Sequence, residues 1–168
     1  MNDTIQKLQT RFGDSITPAQ AFRGEVTTIV ETAKIVDVCR FLKEELEFNY
    51  LSDITGIDYY PDEPRFALCY HLLSLPHGHT LRLKAFWSEG EDPVPSITKL
   101  WRAANWEERE AYDMFGIQFS GHPDLRRLLM PEDWMGFPQR KDYPLGYETV
   151  RFSFNVDRID SHKPYAKE

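Results

Sequence analysis

Glu107-Glu108-Arg109-Glu110, with Asp113 one helical turn further on, is the densest group of ionisable side chains in this sequence. Two carboxylates at that spacing could act as general acid and general base, the arrangement that glycoside hydrolysis uses. A second reading places them in water at a helix start, where the dipole favours Glu107 and Glu108 and Arg109 reaches Asp113 at i+4. A third buries them among Trp106, Tyr112, Met114 and Phe115, with each charge paired and with Arg126, Arg127, Arg140 and Lys141 as the cations. The buried ionic framework suits the aromatic neighbours best. Catalysis would also need a pocket, which the sequence does not display.

His71, His77, His79 and His122 could gather around a metal, and His77-Gly78-His79 is a tempting pair. Turn histidines are more often solvated, and catalytic zinc needs a third protein ligand that nothing here fixes. Cys39 and Cys69 stand thirty residues apart without a CxxC, so neither a disulfide framework nor a chain-borne cluster or zinc site is supported. A reducing compartment follows from that cysteine usage. Gly116 and Gly121 have the glycine spacing of a phosphate loop, but His122-Pro123 stands where Lys-Ser/Thr is required. No GxGxxG is present, so a dinucleotide has no recognisable cradle.

The elements that must position these residues can be read from periodicity. Thr4 to Phe12 places Ile5, Leu8 and Phe12 on one helical face before Gly13. Glu25 to Glu31 is β-branched and reads as a strand. Ala33 to Leu46 sets Ile35, Val38, Cys39, Leu42 and Leu46 at helical spacing, the strongest periodic signal in the chain. Tyr50 to Tyr60, Arg65 to Leu75 and Thr80 to Ser88 are strands; the last alternates Leu81, Leu83, Ala85 and Trp87 with polar residues, as a sheet with one buried face requires. Pro76-His77-Gly78-His79 reads as the hairpin turn between the last two.

Ser96 is expected to cap a helix carrying Ile97, Leu100, Trp101 and Ala104. Asn105 and Glu108 resemble a capping box for a second helix, from Trp106 to Phe115, that ends at Gly116. This order predicts an α+β fold, a two-layer domain over residues 1–115 with a mixed or antiparallel sheet packed against helices. Residues 116–168 then form an extended Gly/Pro-rich arm and tail. Between Gly116 and Tyr147 four glycines and four prolines exclude all but very short helices. The same stretch carries Leu125, Leu128, Leu129, Met130, Trp134, Met135, Phe137, Tyr143, Leu145 and Tyr147. Each is worth roughly 1.5–3 kcal/mol when fully buried, so the arm must lie against its own domain or against another protein. Phe152, Phe154 and Tyr165 mark the final stretch, Val150 to Glu168, as a docking tail.

Composition removes several function classes. The 168 residues suit one domain or a domain with an arm, and 14% aromatic content excludes a disordered chain. A net charge of −7 argues against a dedicated nucleic-acid binder. The longest apolar run, Phe66 to Tyr70, is five residues, far short of the roughly 18 needed to span a bilayer. Met1 to Gln6 lacks a signal-peptide profile, so contact with a membrane is expected only through a partner.

The run from Glu108 to Trp134, ERE-AYDMFGIQFSGHPDLRRLLMPEDW, resembles the signature of the C subunit of the proton-pumping NADH-quinone oxidoreductase, respiratory complex I. The matching positions are Glu108, Arg109, Glu110, Asp113, Met114-Phe115, His122, Arg126 and Leu128-Leu129, and Gly136 to Leu145 resembles the downstream segment. The match spans about residues 97 to 147. The resemblance implies a two-layer α+β domain with an extended arm, in a peripheral subunit on the cytoplasmic side of the inner membrane. It implies no cofactor in this chain: FMN, iron–sulfur clusters and quinone belong to partner subunits. Those partners are the quinone-site D subunit, a separate chain, and the cluster-bearing B subunit. On this footing Glu108, Arg109, Glu110, Asp113, Arg126 and Arg127 are expected to pin the start of the arm, with His122 beside them. Trp134, Phe137, Arg140, Lys141, Asp142 and Tyr143 are expected to meet the quinone-site subunit. Equivalent scaffold subunits occur in membrane-bound nickel–iron hydrogenases, formate hydrogenlyase and photosynthetic complexes, which gives a second reading. A third is a stand-alone hydrolase using Glu108, Glu110, His122 and the His77/His79 pair.

Overall fold

The computed structural model describes residues 2–17, 21–144, 158 and 161. Helix α1 (Asn2–Phe12) leads into short strands β1 (Ile16–Thr17) and β2 (Ala21–Phe22), then β3 (Glu25–Val30) and α2 (Ile35–Glu44). Strands β4 (Tyr50–Asp58), β5 (Phe66–Ser74) and β6 (His79–Trp87) follow. Strand β7 (Val94–Pro95), α3 (Ala104–Phe115) and β8 (Phe119–Ser120) complete the regular elements. The main sheet runs β1-β3-β6-β5-β4, with β2 paired to β3. It is mixed, because β3 lies parallel to β6 while the other pairs are antiparallel.

Period-2 alternation decides which sheet face is covered. Register brings Thr28 opposite Leu83, Leu83 opposite Tyr70 and Tyr70 opposite Ile54, all buried. Leu83, Tyr70 and Ile54 join Leu8 of α1, Ile35, Val38, Cys39 and Leu42 of α2, and Ala111, Met114 and Phe115 of α3 in one core. Gly56 of β4 exists for α3, since a Cβ there would stand 2.5 Å from the Phe115 ring. The opposite face, with Thr27, Thr55, His71, Arg82 and Lys84, is only half covered. The fold is the expected two-layer α+β domain, followed by the arm.

Two local expectations are corrected. No helix begins at Ser96; residues 98–103 make isolated turns and a single helix starts at Ala104. The Leu100 carbonyl, which a helix would give to Ala104, instead accepts the Lys43 ammonium, and the Ile97 amide donates to Glu108 at 2.8 Å. Only the Trp101 amide makes the helical bond back to the Ile97 carbonyl; at Leu100 the long-range Lys43 contact takes the next turn's acceptor, while the Ile97 amide, which no helix would satisfy internally, is met by Glu108. The capping box also fails, since the cap position is Ala103 without a side-chain bond and the Glu108 carboxylate turns to Ile97, not to Asn105. At the β5–β6 hairpin the turn is 75–78, and His79 already belongs to β6.

Candidate functional site

Helix α3 projects Arg109 and Asp113 from one face, four residues apart, and both grip the arm and not each other. Asp113 has a fully buried carboxylate. Its Oδ2 accepts the backbone N–H groups of Leu128, Leu129 and Met130 at 3.0, 2.7 and 2.8 Å, and its Oδ1 accepts Arg127 Nη1 at 2.8 Å. Burial alone would raise this carboxyl, but the Met130 amide, Arg127 and the Leu129 and Leu128 amides outweigh it and hold the group below the usual carboxylate range. Arg109 donates to the carbonyls of Arg126 and Arg127 at 3.1 and 3.0 Å, its guanidinium resting over Trp106. The i+4 pair between Arg109 and Asp113 is therefore absent, because the chain from 126 to 130 takes both groups.

Arg127 passes the grip onward. Its Nη2 donates to the carbonyls of Trp134 and Gly136 at 2.9 and 3.0 Å, and its guanidinium lies over Phe137. Arg126 contributes its carbonyl only; its guanidinium is exposed beside Asp124. Glu110 is exposed.

A second grip holds the far end of the arm. Asp58, at the end of β4, accepts Arg65 through both oxygens at 3.2 and 3.1 Å and the Lys141 amide at 2.9 Å. Arg65 also binds Asp142 at 2.6 Å. Burial works against the Asp58 charge, but Arg65 and the Lys141 and Tyr60 amides prevail and lower its carboxyl, while Asp58 and Asp142 push the Arg65 guanidinium up. Arg140 Nε donates to the Phe115 carbonyl at 2.6 Å and Nη1 meets Glu89 at 2.7 Å, with the guanidinium sandwiched between Phe66 and Phe137. Gly116, in the left-handed region at φ +80°, caps α3 and leaves the space that Arg140 and Phe137 occupy.

The expected arm residues are thereby located. Arg140 and Asp142 face the chain's own domain, Phe137 packs edge-on to Tyr112, and the Tyr143 hydroxyl donates to the Met135 carbonyl at 3.2 Å. Trp134 is half buried, and the Lys141 side chain is exposed. Leu129 and Met135 stay 62% and 73% exposed, apolar surface that the domain does not cover. The expected Leu145, Tyr147 and tail aromatics lie outside the described residues. Asp58, Arg65 and Glu89 escaped sequence reasoning. Arg65 and Asp142 are 77 positions apart, and no local pattern marks such a pair.

Glu108 and His122 form a separate buried pair, both side chains 0% exposed, with Oε2 3.9 Å from Nε2. His77 and His79 sit tilted together on the surface, with His77 Nε2 2.8 Å from Glu47. Among the described residues no group of three or more His, Cys, Asp or Glu is placed to hold a metal. No helix of the described residues is long and apolar enough to cross a membrane. The geometry thus joins the sequence signature into a two-ended clamp that holds an extended arm, using acids and guanidiniums already filled by backbone groups.

Proteins of known identity share this sequence and shape. The chain is 51% identical over 98% of its length to the C subunit of NADH-quinone oxidoreductase from Roseiflexus castenholzii, covering 95% of that protein. The corresponding C subunit of Geobacter sulfurreducens is 49% identical over 86% of this chain and 90% of its own. A solved trypsin-resistant fragment (1–134) of Nqo5 superposes with a TM-score of 0.64 at 34% identity, covering 73% of this chain and 99% of the fragment. The fold alone is shared with a chain of the archaeal membrane-bound sulfane sulfur reductase, with a TM-score of 0.73 at 23% identity over 86% of this chain and 85% of that one. The family model for the respiratory-chain NADH dehydrogenase 30 kDa subunit matches residues 28–149, a span that takes in β4 to β6, α3 and the arm clamp, and the chain belongs to that family.

Proposed function

We propose that this chain is a structural, non-catalytic subunit of the peripheral arm of a proton-pumping NADH-quinone oxidoreductase. In this reading it works within a hetero-oligomer, packing against the quinone-site D subunit near the cluster-bearing B subunit, on the cytoplasmic side of the inner membrane. FMN, iron–sulfur clusters and quinone sit in partner subunits. The observation that carries the proposal is the near-full-length 51% identity to a C subunit of that oxidoreductase, in which the sequence signature coincides with the arm clamp. Asp113, Arg109 and Arg127 are occupied by the chain's own backbone, which supports a holding role over a reacting one. Exposed Leu129 and Met135 supply apolar surface for a partner.

Affinity purification of the tagged chain from solubilised membranes tests this. Stoichiometric recovery of flavin-, cluster- and quinone-site subunits, with NADH:quinone activity in the eluate, is the expected result. Recovery of the chain alone, or with hydrogenase subunits and no NADH-input subunit, would refute it.

A further inference from the structure

Glu108 is the one buried signature acid that the clamp leaves out, Glu110 being exposed. Its Oε1 accepts the Ile97 amide at 2.8 Å, while Oε2 is buried and makes no hydrogen bond among the described residues, the neighbouring Ser96 hydroxyl being engaged with Thr98. The nearest candidate for a counter-charge is His122, yet both of its nitrogens are committed in the neutral form. Nδ1 accepts the Asp124 amide at 3.0 Å, so Nε2 carries the proton, which it donates to the Asn105 carbonyl at 3.2 Å. Burial and the Arg109 charge further disfavour a second proton on that ring. From β5 and α2 the groups that feel Glu108 are the Tyr70 phenol and the Cys39 thiol, neutral and made still weaker acids by burial and by its charge. Among the described residues, therefore, no cation faces this carboxyl.

The geometry points to a proton-controlled clasp, in which a proton on Glu108 keeps the turns at 96–105 and the loop at 121–124 closed on α3, and its loss loosens them. The pair ties α3, through Asn105 and Glu108 in its first turns, to Ile97 after β7 and to His122 after β8, two segments that the short β7–β8 ladder already holds side by side. An anion left in this site, with Ala104 and Ala111 on the same helix fully or almost fully buried, gains by rehydration. The turns at 98–103 are the segment free to yield, since they lie between the β7–β8 ladder and α3 and belong to neither. A surface cleft bordered by Thr98, Arg102, Trp106 and Pro123 adjoins the same segments, so it would widen with them.

Burial drives the Glu108 carboxyl up to about 7, against the Ser96 hydroxyl and Ile97 amide, from an ordinary value of 4.5 that the opened clasp would restore. Linkage between those values makes the opened population rise about tenfold from pH 6 to pH 8. Amide hydrogen exchange of residues 94–105 in the full chain, corrected for intrinsic rates, should show that rise. Carboxyl ¹³C resonances of glutamate-labelled chain should contain one that titrates near neutrality. Exchange unchanged between the two pH values, or every glutamate titrating below about pH 5.5, would overturn the proposal. Glu108→Gln should abolish both signals, and a tenfold rise persisting in that variant would equally overturn it. The two wild-type measurements decide the matter if the variant does not fold.

Discussion

Asp113 concentrates more of the arm's attachment than any other single side chain, since one carboxylate fixes three successive amides and one guanidinium. Asp113→Asn keeps the volume but turns one acceptor into a donor facing other donors, and it leaves Arg127 without its charge partner. The expected loss is roughly 3–5 kcal/mol, read from chemical denaturation of the isolated chain. Its pH dependence has a definite sign. Asp113 and Asp58 are depressed in the fold, so their contribution is full above the ordinary carboxylate value and lost as pH falls through the lowered ones. Glu108 is raised, so its contribution is full below 4.5 and is lost as pH rises through about 7, amounting to about 3 kcal/mol. Stability should therefore peak in mildly acidic solution, near pH 5. Glu108→Gln should flatten the alkaline side and Asp113→Asn part of the acid side in thermal melts across pH. A profile flat from pH 5 to 8 in the wild type would contradict the buried, unpaired state of Glu108.

At the scale of elements, the junction between α3 and the arm depends on a close approach at Gly116 as well as on its left-handed backbone. A Cβ there would stand 2.5 Å from Arg140 Nη2 and 2.6 Å from the Phe137 ring. Gly90 is equally left-handed, at φ +91°, but has nothing within 4 Å of the same added atom. Gly90→Ala should thus cost only the backbone strain, about 1–2 kcal/mol, whereas Gly116→Ala adds the collision and should lift the arm. Trypsin cleavage after Arg140 and Lys141 should accelerate in Gly116→Ala and not in Gly90→Ala; equal rates would show that the approach is dispensable. The elements themselves were legible wherever period and burial agree, as in α2 and in the alternation of β6. The helix expected from Ser96 was not, because Lys43 takes the Leu100 carbonyl from 57 positions away. The same reason hid the destination of the arm. Its apolar residues announced that something must cover them, but Arg65 and Asp58, which hold its end, carry no local sign of that task.

For the whole molecule, the clamp separates residues that fold the chain from residues left over for a partner. Arg140 is 15% exposed and bound to Phe115 and Glu89, whereas the Lys141 side chain lies outside on the arm with Leu129 and Met135. The family resemblance put Arg140 and Lys141 together as expected partner contacts, since neither spacing nor charge in the sequence distinguishes an inward cation from an outward one. Their substitutions should now part. Arg140→Ala removes a guanidinium held between two rings and should destabilise the isolated chain by about 2 kcal/mol or more. Lys141→Ala, or Leu129→Ser with Met135→Ser, should shift it by no more than about 0.5 kcal/mol. In membranes the order should reverse in kind: the Leu129/Met135 double variant folds as the wild type does but is recovered in the assembled oxidoreductase at reduced yield. Denaturation of purified chains, set beside quantification of the chain in solubilised complexes, measures both. A double variant that assembles at the wild-type level would move the partner surface elsewhere, to the half-covered sheet face around Arg82 and Lys84.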